Sequence, residues 1–142
     1  MTVVVSKSAN DTEKLGAQIA SKLKGNEVIA LFGGLGMGKT AFTRGLSCAL
    51  GVDENTISSP TFALVNEYVG KFNIYHFDMY RVTTWDDLYT TGFFDYIGNG
   101  VIVIEWSENI EGAIPDDAVR IHISKGETDN ERVFEIEGVD LS

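Results

Sequence analysis

The sequence predicts an α/β fold, with helices packed on a mixed, mostly parallel sheet that carries antiparallel hairpins. Three observations predict it. Two short runs, Val28–Phe32 and Val101–Ile104, are wholly apolar, the mark of strands buried on both faces. Helical patterns precede and follow the first run. Two pairs of strand-like segments flank turn residues, as hairpins do.

Thr2–Val5 reads as a short strand. Asn10 reads as a helix N-cap with Glu13 three residues on, as in a capping box. Leu15, Ile19 and Leu23 then recur at helical spacing, and Gly25-Asn26 closes the helix. After Val28–Phe32 comes a glycine-rich loop, then helix signals from Lys39 to about Leu50, with Gly51 placed to end them. Phe62–Tyr68 and Asn73–Asp78 form one predicted hairpin, turning near Gly70. Thr84 caps a short predicted helix that Gly92 ends, and Phe94–Ile97 reads as a further helical turn. Gly98-Asn99-Gly100 and Pro115-Asp116-Asp117 are turns around Val101–Ile104, and Val119–Ser124 with Arg132–Ile136 make the last hairpin.

The 142 residues predict one domain, 1–142, with a sizeable core. The net charge of −10 disfavours a chain that binds DNA or RNA by itself, because such a surface repels phosphate backbones, and it fits docking on a basic partner. A single cysteine, Cys48, cannot form an internal disulfide, and its place in a predicted helix reads as core. Nothing at the N-terminus reads as a signal peptide, and no apolar run spans a membrane, so a cytoplasmic protein is expected.

Residues 33–40, Gly-Gly-Leu-Gly-Met-Gly-Lys-Thr, match the phosphate-loop pattern G-x-x-x-x-G-K-[ST] in full. Glycines let the backbone approach phosphate without a Cβ, loop N–H groups turn inward, and the following helix adds its positive end. Lys39 is expected to reach the β- and γ-phosphates of ATP and the Thr40 hydroxyl to bind Mg²⁺. Such sites place an acid at the end of a neighbouring strand. Two acids qualify, Glu105 after Val101–Ile104 and Asp78 at the end of Asn73–Phe77, and spacing does not say which touches metal and which orients water. Thr61, in Ser59-Pro60-Thr61-Phe62, is placed to sense a γ-phosphate as switch threonines do. Trp106 follows Glu105 and lines either the site or the core. His76 and His122 lie in predicted strands without cysteine partners and read as structural.

Four motifs combine: residues 33–40, Ser59–Tyr68, Tyr75-His76-Phe77-Asp78-Met79-Tyr80-Arg81 and Ile104-Glu105-Trp106. Together they closely resemble the TsaE family, bacterial ATPases of tRNA threonylcarbamoyladenosine biosynthesis, over nearly the whole chain. The resemblance implies a P-loop-containing NTPase-like, three-layer fold with helices on both faces of the sheet. It implies slow Mg²⁺-dependent ATP hydrolysis in concert with TsaB and TsaD, and contact with tRNA only through that complex. It implies a phosphate loop from Leu35 through Gly36, Met37, Gly38, Lys39 and Thr40 to Ala41, led by Gly33. Thr40 and Glu105 match the metal ligands, Asp78 the acid that positions water, Thr61 the switch-like threonine, and Trp106 the tryptophan beside the nucleotide. Ala9, Asn10 and Arg132 match positions close to the nucleotide. The family often has Asp after the first loop glycine, where this chain has Gly34, which shifts the catalytic burden toward Asp78 and Glu105.

A small-molecule kinase and a non-catalytic, nucleotide-gated docking protein are the rival readings. No arginine-bearing lid of the kinase sort is visible. A GTPase is disfavoured, because no Asn-Lys-x-Asp guanine-reading motif occurs.

Overall fold

Val28, Ile29, Ala30, Leu31 and Phe32 have no polar side chain to turn toward water. The strand they form, β2 (Val28–Phe32), is buried along its whole length. The computed structural model describes residues 1–33, 38–57 and 65–141. Expectations for Gly34, Leu35, Gly36, Met37 and Thr61, and for the start of the strand predicted from Phe62, lie outside the described residues.

Two strands flank β2 in parallel, β5 (Val101–Glu105) and β6 (Val119–Lys125). On the β5 side β4 (Asn73–Asp78) pairs in parallel and β3 (Val65–Val69) closes the edge antiparallel to it. On the β6 side β7 (Arg132–Glu137) and then β1 (Thr2–Ser6) pair antiparallel. The order is therefore β1-β7-β6-β2-β5-β4-β3. Strands β1, β6, β2, β5 and β4 run one way and only β7 and β3 oppose them, so the predicted mixed, mostly parallel sheet with hairpins is what forms.

Alternation along β2 sends side chains into two separate cores. Ile29 and Leu31 face Leu15 and Ile19 of helix α1 (Ala9–Ala20) and Phe42 and Leu46 of helix α2 (Lys39–Ala49). Val28, Ala30 and Phe32 face the opposite core, where α3 (Trp85–Thr90) contributes Leu88, α4 (Phe93–Tyr96) contributes Phe93, and a 3₁₀ segment, Ser107–Ala113, contributes Ile110. These are the three predicted layers.

The N-cap of α1 is a correction. Ser8, not Asn10, holds the extended cap conformation, and its Oγ accepts the Asp11 N–H at 3.1 Å. The Asp11 carboxylate in turn accepts the Lys7 N–H at 3.1 Å. Asn10 lies inside the first turn, and Glu13 is taken by Arg44 of α2, 3.7 Å away. Serine and asparagine are equally good caps, and at Ser8 the cap is reinforced by Asp11, whose carboxylate ties down the Lys7 N–H just upstream.

Helices α1 and α2 approach closely because glycines face each other. A Cβ at Gly16 would run into the Phe42 carbonyl, and one at Gly45 into the backbone of Glu13. This contact sets how α2 lies on the sheet, and with it where Lys39 and Thr40 emerge. Gly45→Val should therefore lower the unfolding free energy by about 1–3 kcal/mol, the usual cost of forcing volume into a packed contact. A urea titration matching the parent protein would show that the helices separate freely.

Candidate functional site

Strands β2, β5 and β4 end on the same edge of the sheet, the edge where open α/β sheets bind ligands. Glycine alone lets the chain leave β2 as it does. At Gly33 φ is +149°, and a Cβ would strike the Ile123 carbonyl oxygen on β6. The chain then enters α2 through Gly38, whose φ is +88°. Helices α1 and α3 are capped by Ser8 and Thr84 and carry acids in their first turns. Helix α2 has neither: Gly38 offers no side chain and no acid follows. Among the described residues no side chain caps its first N–H groups, and an anion is favoured at the positive end of a helix dipole.

Lys39 is buried at this point. Its Nζ donates to the Gly33 carbonyl oxygen at 2.8 Å and sits 4.5 Å from the centroid of the Trp106 ring. Loss of water pushes its pKa below the ordinary 10.5, while the charges of Glu105, Glu108 and Asp78 pull it back up. The two predicted acids face each other across the parallel pair, Asp78 on β4 opposite Glu105 on β5. Asp78 Oδ1 accepts the Tyr80 N–H at 2.9 Å. Glu105 is buried, and its Oε2 comes within 2.6 Å of His76 Nε2, although the ring N–H is not aligned for a regular hydrogen bond. His76 is thus a core residue, as its strand position suggested, but its polar neighbour is a predicted metal ligand.

Trp106 is the only non-glycine with positive φ among the described residues, at φ 60° and ψ 42°. A left-handed tryptophan costs about 1–2 kcal/mol. The turn it makes lays the indole over Lys39 and against Tyr80, ring centroids 4.9 Å apart. It also folds the Ser107–Ala113 segment back over the site. There Glu108 Oε2 accepts the Gly33 N–H at 3.2 Å, and Asn109 Nδ2 donates to the carbonyls of Met79 at 2.8 Å and Tyr80 at 3.2 Å. Sequence reasoning missed Glu108. Its only signal was a third acid three residues past Glu105, and nothing local announces the backbone reversal at Trp106.

Thr40 lies half-buried in the first turn of α2, beside Lys39. Ala9, Gly38, Ala41 and Arg132 come together around an open cleft of about 330 Å³. Arg132 is braced there by donating to the carbonyls of Asp129 at 2.6 Å and Glu131 at 2.8 Å. Asn10, predicted with them, is exposed and does not line this cleft. His122 stacks on Phe32 at 4.4 Å, a structural role. Cys48 is half-buried in α2, and burial raises its thiol pKa, which suits packing over reactivity. Among the described residues no group of three His, Cys, Asp or Glu side chains could hold a metal unaided. A hard cation held by one carboxylate, one hydroxyl and a ligand's own oxygens is the arrangement that fits this donor set. No helix among the described residues is long and apolar enough to cross a membrane.

Comparison with known proteins gives concordant matches. The sequence model of the family described as "Threonylcarbamoyl adenosine biosynthesis protein TsaE" matches residues 6–134. A tRNA threonylcarbamoyladenosine biosynthesis protein TsaE of Treponema pallidum is 39% identical over 120 residues, 84% of this chain and 88% of that one. Its counterpart in Aquifex aeolicus is 45% identical over 74% of this chain and 76% of its own. The crystal structure of Bacillus subtilis YdiB superposes with a TM-score of 0.72 at 30% identity, covering 94% of this chain and 82% of that one.

The lowered pKa of Lys39 has a signed consequence. Below its folded pKa the buried ammonium costs stability, and between that value and 10.5 the unfolded state binds more protons than the folded one. Stability measured against Lys39→Met should therefore rise with pH through the alkaline range up to about that value. A difference between the two proteins that stays flat or falls on chemical denaturation at rising pH would contradict the desolvation of Lys39.

Proposed function

Because the chain belongs to the TsaE family of threonylcarbamoyl adenosine biosynthesis proteins, we propose that it is the Mg²⁺-dependent ATP-binding and ATP-hydrolysing subunit of tRNA threonylcarbamoyladenosine synthesis, acting with TsaB and TsaD. The observation that carries the reading is the uncapped N-terminus of α2 with buried Lys39, set beside the facing acids Asp78 and Glu105. Each feature suits a polyphosphate with its metal, and together they suit little else.

The roles follow from charge and position. The α2 N–H groups and Lys39 hold the phosphate chain, Lys39 exchanging the Gly33 carbonyl for phosphate oxygen. Phosphate charge offsets the desolvation that lowers the lysine pKa in its absence. Thr40 and Glu105 hold Mg²⁺. Asp78, half-buried and facing Glu105, orients the attacking water. When bound, Mg²⁺ and ATP supply a γ-phosphoryl group whose charge is already partly neutralised. Trp106 covers the Lys39 ammonium, with Tyr80 packed against its ring, and electrostatic interactions strengthen where water is excluded. In this reading the nucleoside takes the cleft lined by Ala9, Gly38, Ala41 and Arg132, which borders the first turn of α2.

The net charge of −10 favours a protein partner over direct contact with tRNA. The energy of hydrolysis then serves the state of the partner complex. No phosphoryl acceptor enters this scheme.

Turnover should be measured for the chain alone, with candidate metabolites, and with TsaB, TsaD and unmodified tRNA. Faster ATP hydrolysis is expected only with the partners. Phosphate transfer to a metabolite would sink the proposal in favour of a kinase, and binding without turnover even with the partners would favour a docking protein. Lys39→Ala should cut turnover by about 10²–10³-fold, the range for removing one preorganised electrostatic group. Glu105→Ala should raise the Mg²⁺ requirement as well as slow turnover. An unchanged Mg²⁺ dependence would refute the ligand assignment.

A further inference from the structure

His76 is fully buried on the α1–α2 face of the sheet, a position an apolar side chain would fill at no polar cost. Its neighbours on that face, Ile74, Val101 and Val103, are apolar. A buried imidazole must place at least one N–H, and buried polar groups without partners are destabilising. Neither ring nitrogen has an aligned partner among the described residues, and Glu105 Oε2 lies 2.6 Å from Nε2. The same oxygen is wholly shielded and has no aligned partner among the described residues, while the Glu105 side chain keeps about one-tenth of its surface exposed.

We propose that His76 is a positioning residue for Glu105. Its Nε2–H holds Oε2 against the sheet, so that the other carboxylate oxygen is presented to the metal position beside Thr40 and Lys39. This rests on the Mg²⁺–ATP reading of the site. The physical need is plain. A glutamate has three side-chain torsions, and a carboxylate free to turn is a weaker cation ligand than one held by a neighbouring donor. The strand register makes the hold possible: His76 pairs with Val103, two residues before Glu105 on the same face, and Asp78 pairs with Glu105 itself. One face of β4 thus brings both the second acid and the donor that fixes the first. His76 does not meet the nucleotide in this arrangement and acts only through Glu105.

The test uses the full chain carrying Trp85→Phe, which leaves Trp106 as its one tryptophan. Indole emission is followed while Mg²⁺ is titrated at saturating ADP, and ADP binding is measured separately in EDTA. His76→Met removes the donor and fills the space. It should raise the Mg²⁺ midpoint by about ten-fold, the usual cost of removing such a partner, and leave metal-free ADP binding unchanged. His76→Gln, whose amide N–H reaches about as far as Nε2, should restore most of the loss. In a Glu105→Gln background the His76→Met change should add nothing. His76→Leu serves as a second donor-less variant, and thermal melts show which variants are folded. An unshifted midpoint in a folded donor-less variant overturns the proposal. So does a folded His76→Gln as impaired as His76→Met, or a further loss in the Glu105→Gln background. A parent protein with no Mg²⁺-dependent ADP binding overturns the reading of the site along with it, whereas a Mg²⁺-dependent parent indifferent to His76 overturns this role alone.

Discussion

The parallel pairing of β4 with β5 is the constraint on which the candidate site depends. Phe77 lies opposite Ile104 and Asp78 opposite Glu105, so both acids reach the same edge of the sheet on the same face. A slip of one residue would turn Asp78 to the other face and bury it among aromatic rings. The register is held from both sides. Phe77 packs edge-on against Phe93 at 5.6 Å and Tyr96 at 5.3 Å, while Ile74 is buried in the opposite core. The apolar runs that identify the strands therefore also aim the chemistry. Each large side chain in the core fixes the phase of the polar residue next to it.

Around that edge the protein buries charge it could have left in water. Lys39 and Glu105 are both nearly inaccessible, and His76 is wholly so. A lone buried charge costs several kcal/mol, and a buried pair returns that cost only with good geometry. Here the geometry is unfinished. Lys39 leans on a carbonyl and an aromatic face and makes no direct ion pair among the described residues, its pKa falls from desolvation, and the His76–Glu105 contact is close but not aligned. A cluster serving stability alone would complete these bonds. A cation, a helix end without a side-chain cap and a carboxylate short of aligned partners are the features on which the proposed reading of the site rests.

The backbone reversal at Trp106 completes the enclosure. Without it β5 would run on past the edge of the sheet, and the site would be open above Lys39. With it, two adjacent residues reach in different directions, Glu108 to the Gly33 N–H and Asn109 to the carbonyls of Met79 and Tyr80. The 3₁₀ segment turns about 120° per residue, which is why neighbours can serve partners on different strands. Gly33 at the end of β2 and the chain leaving β4 are thereby tied to one short element. The strain in one tryptophan backbone is small beside the order it imposes on both.

What the sequence disclosed and what it hid divide along one line. The strands, the helices and the acids at strand ends are local patterns. They were legible because apolar alternation and cap chemistry act over a few residues. Val28–Phe32 was predicted to the residue, and Glu105 and Asp78 were placed at the correct edge. Even the local misassignment, Asn10 for Ser8, is a choice between two good caps two residues apart. The contact between His76 and Glu105, and the place of Glu108, were missed for the opposite reason. Their partners lie 29 and 75 residues away in the chain, and what joins them is strand order and a left-handed turn. A histidine among apolar residues looks like core until β4 is known to lie beside β5. A glutamate after a tryptophan looks like surface until the chain is known to turn back. Pairwise register thus carries the part of the chemistry that periodicity cannot encode, and polar residues inside otherwise apolar strands are where that part is to be sought.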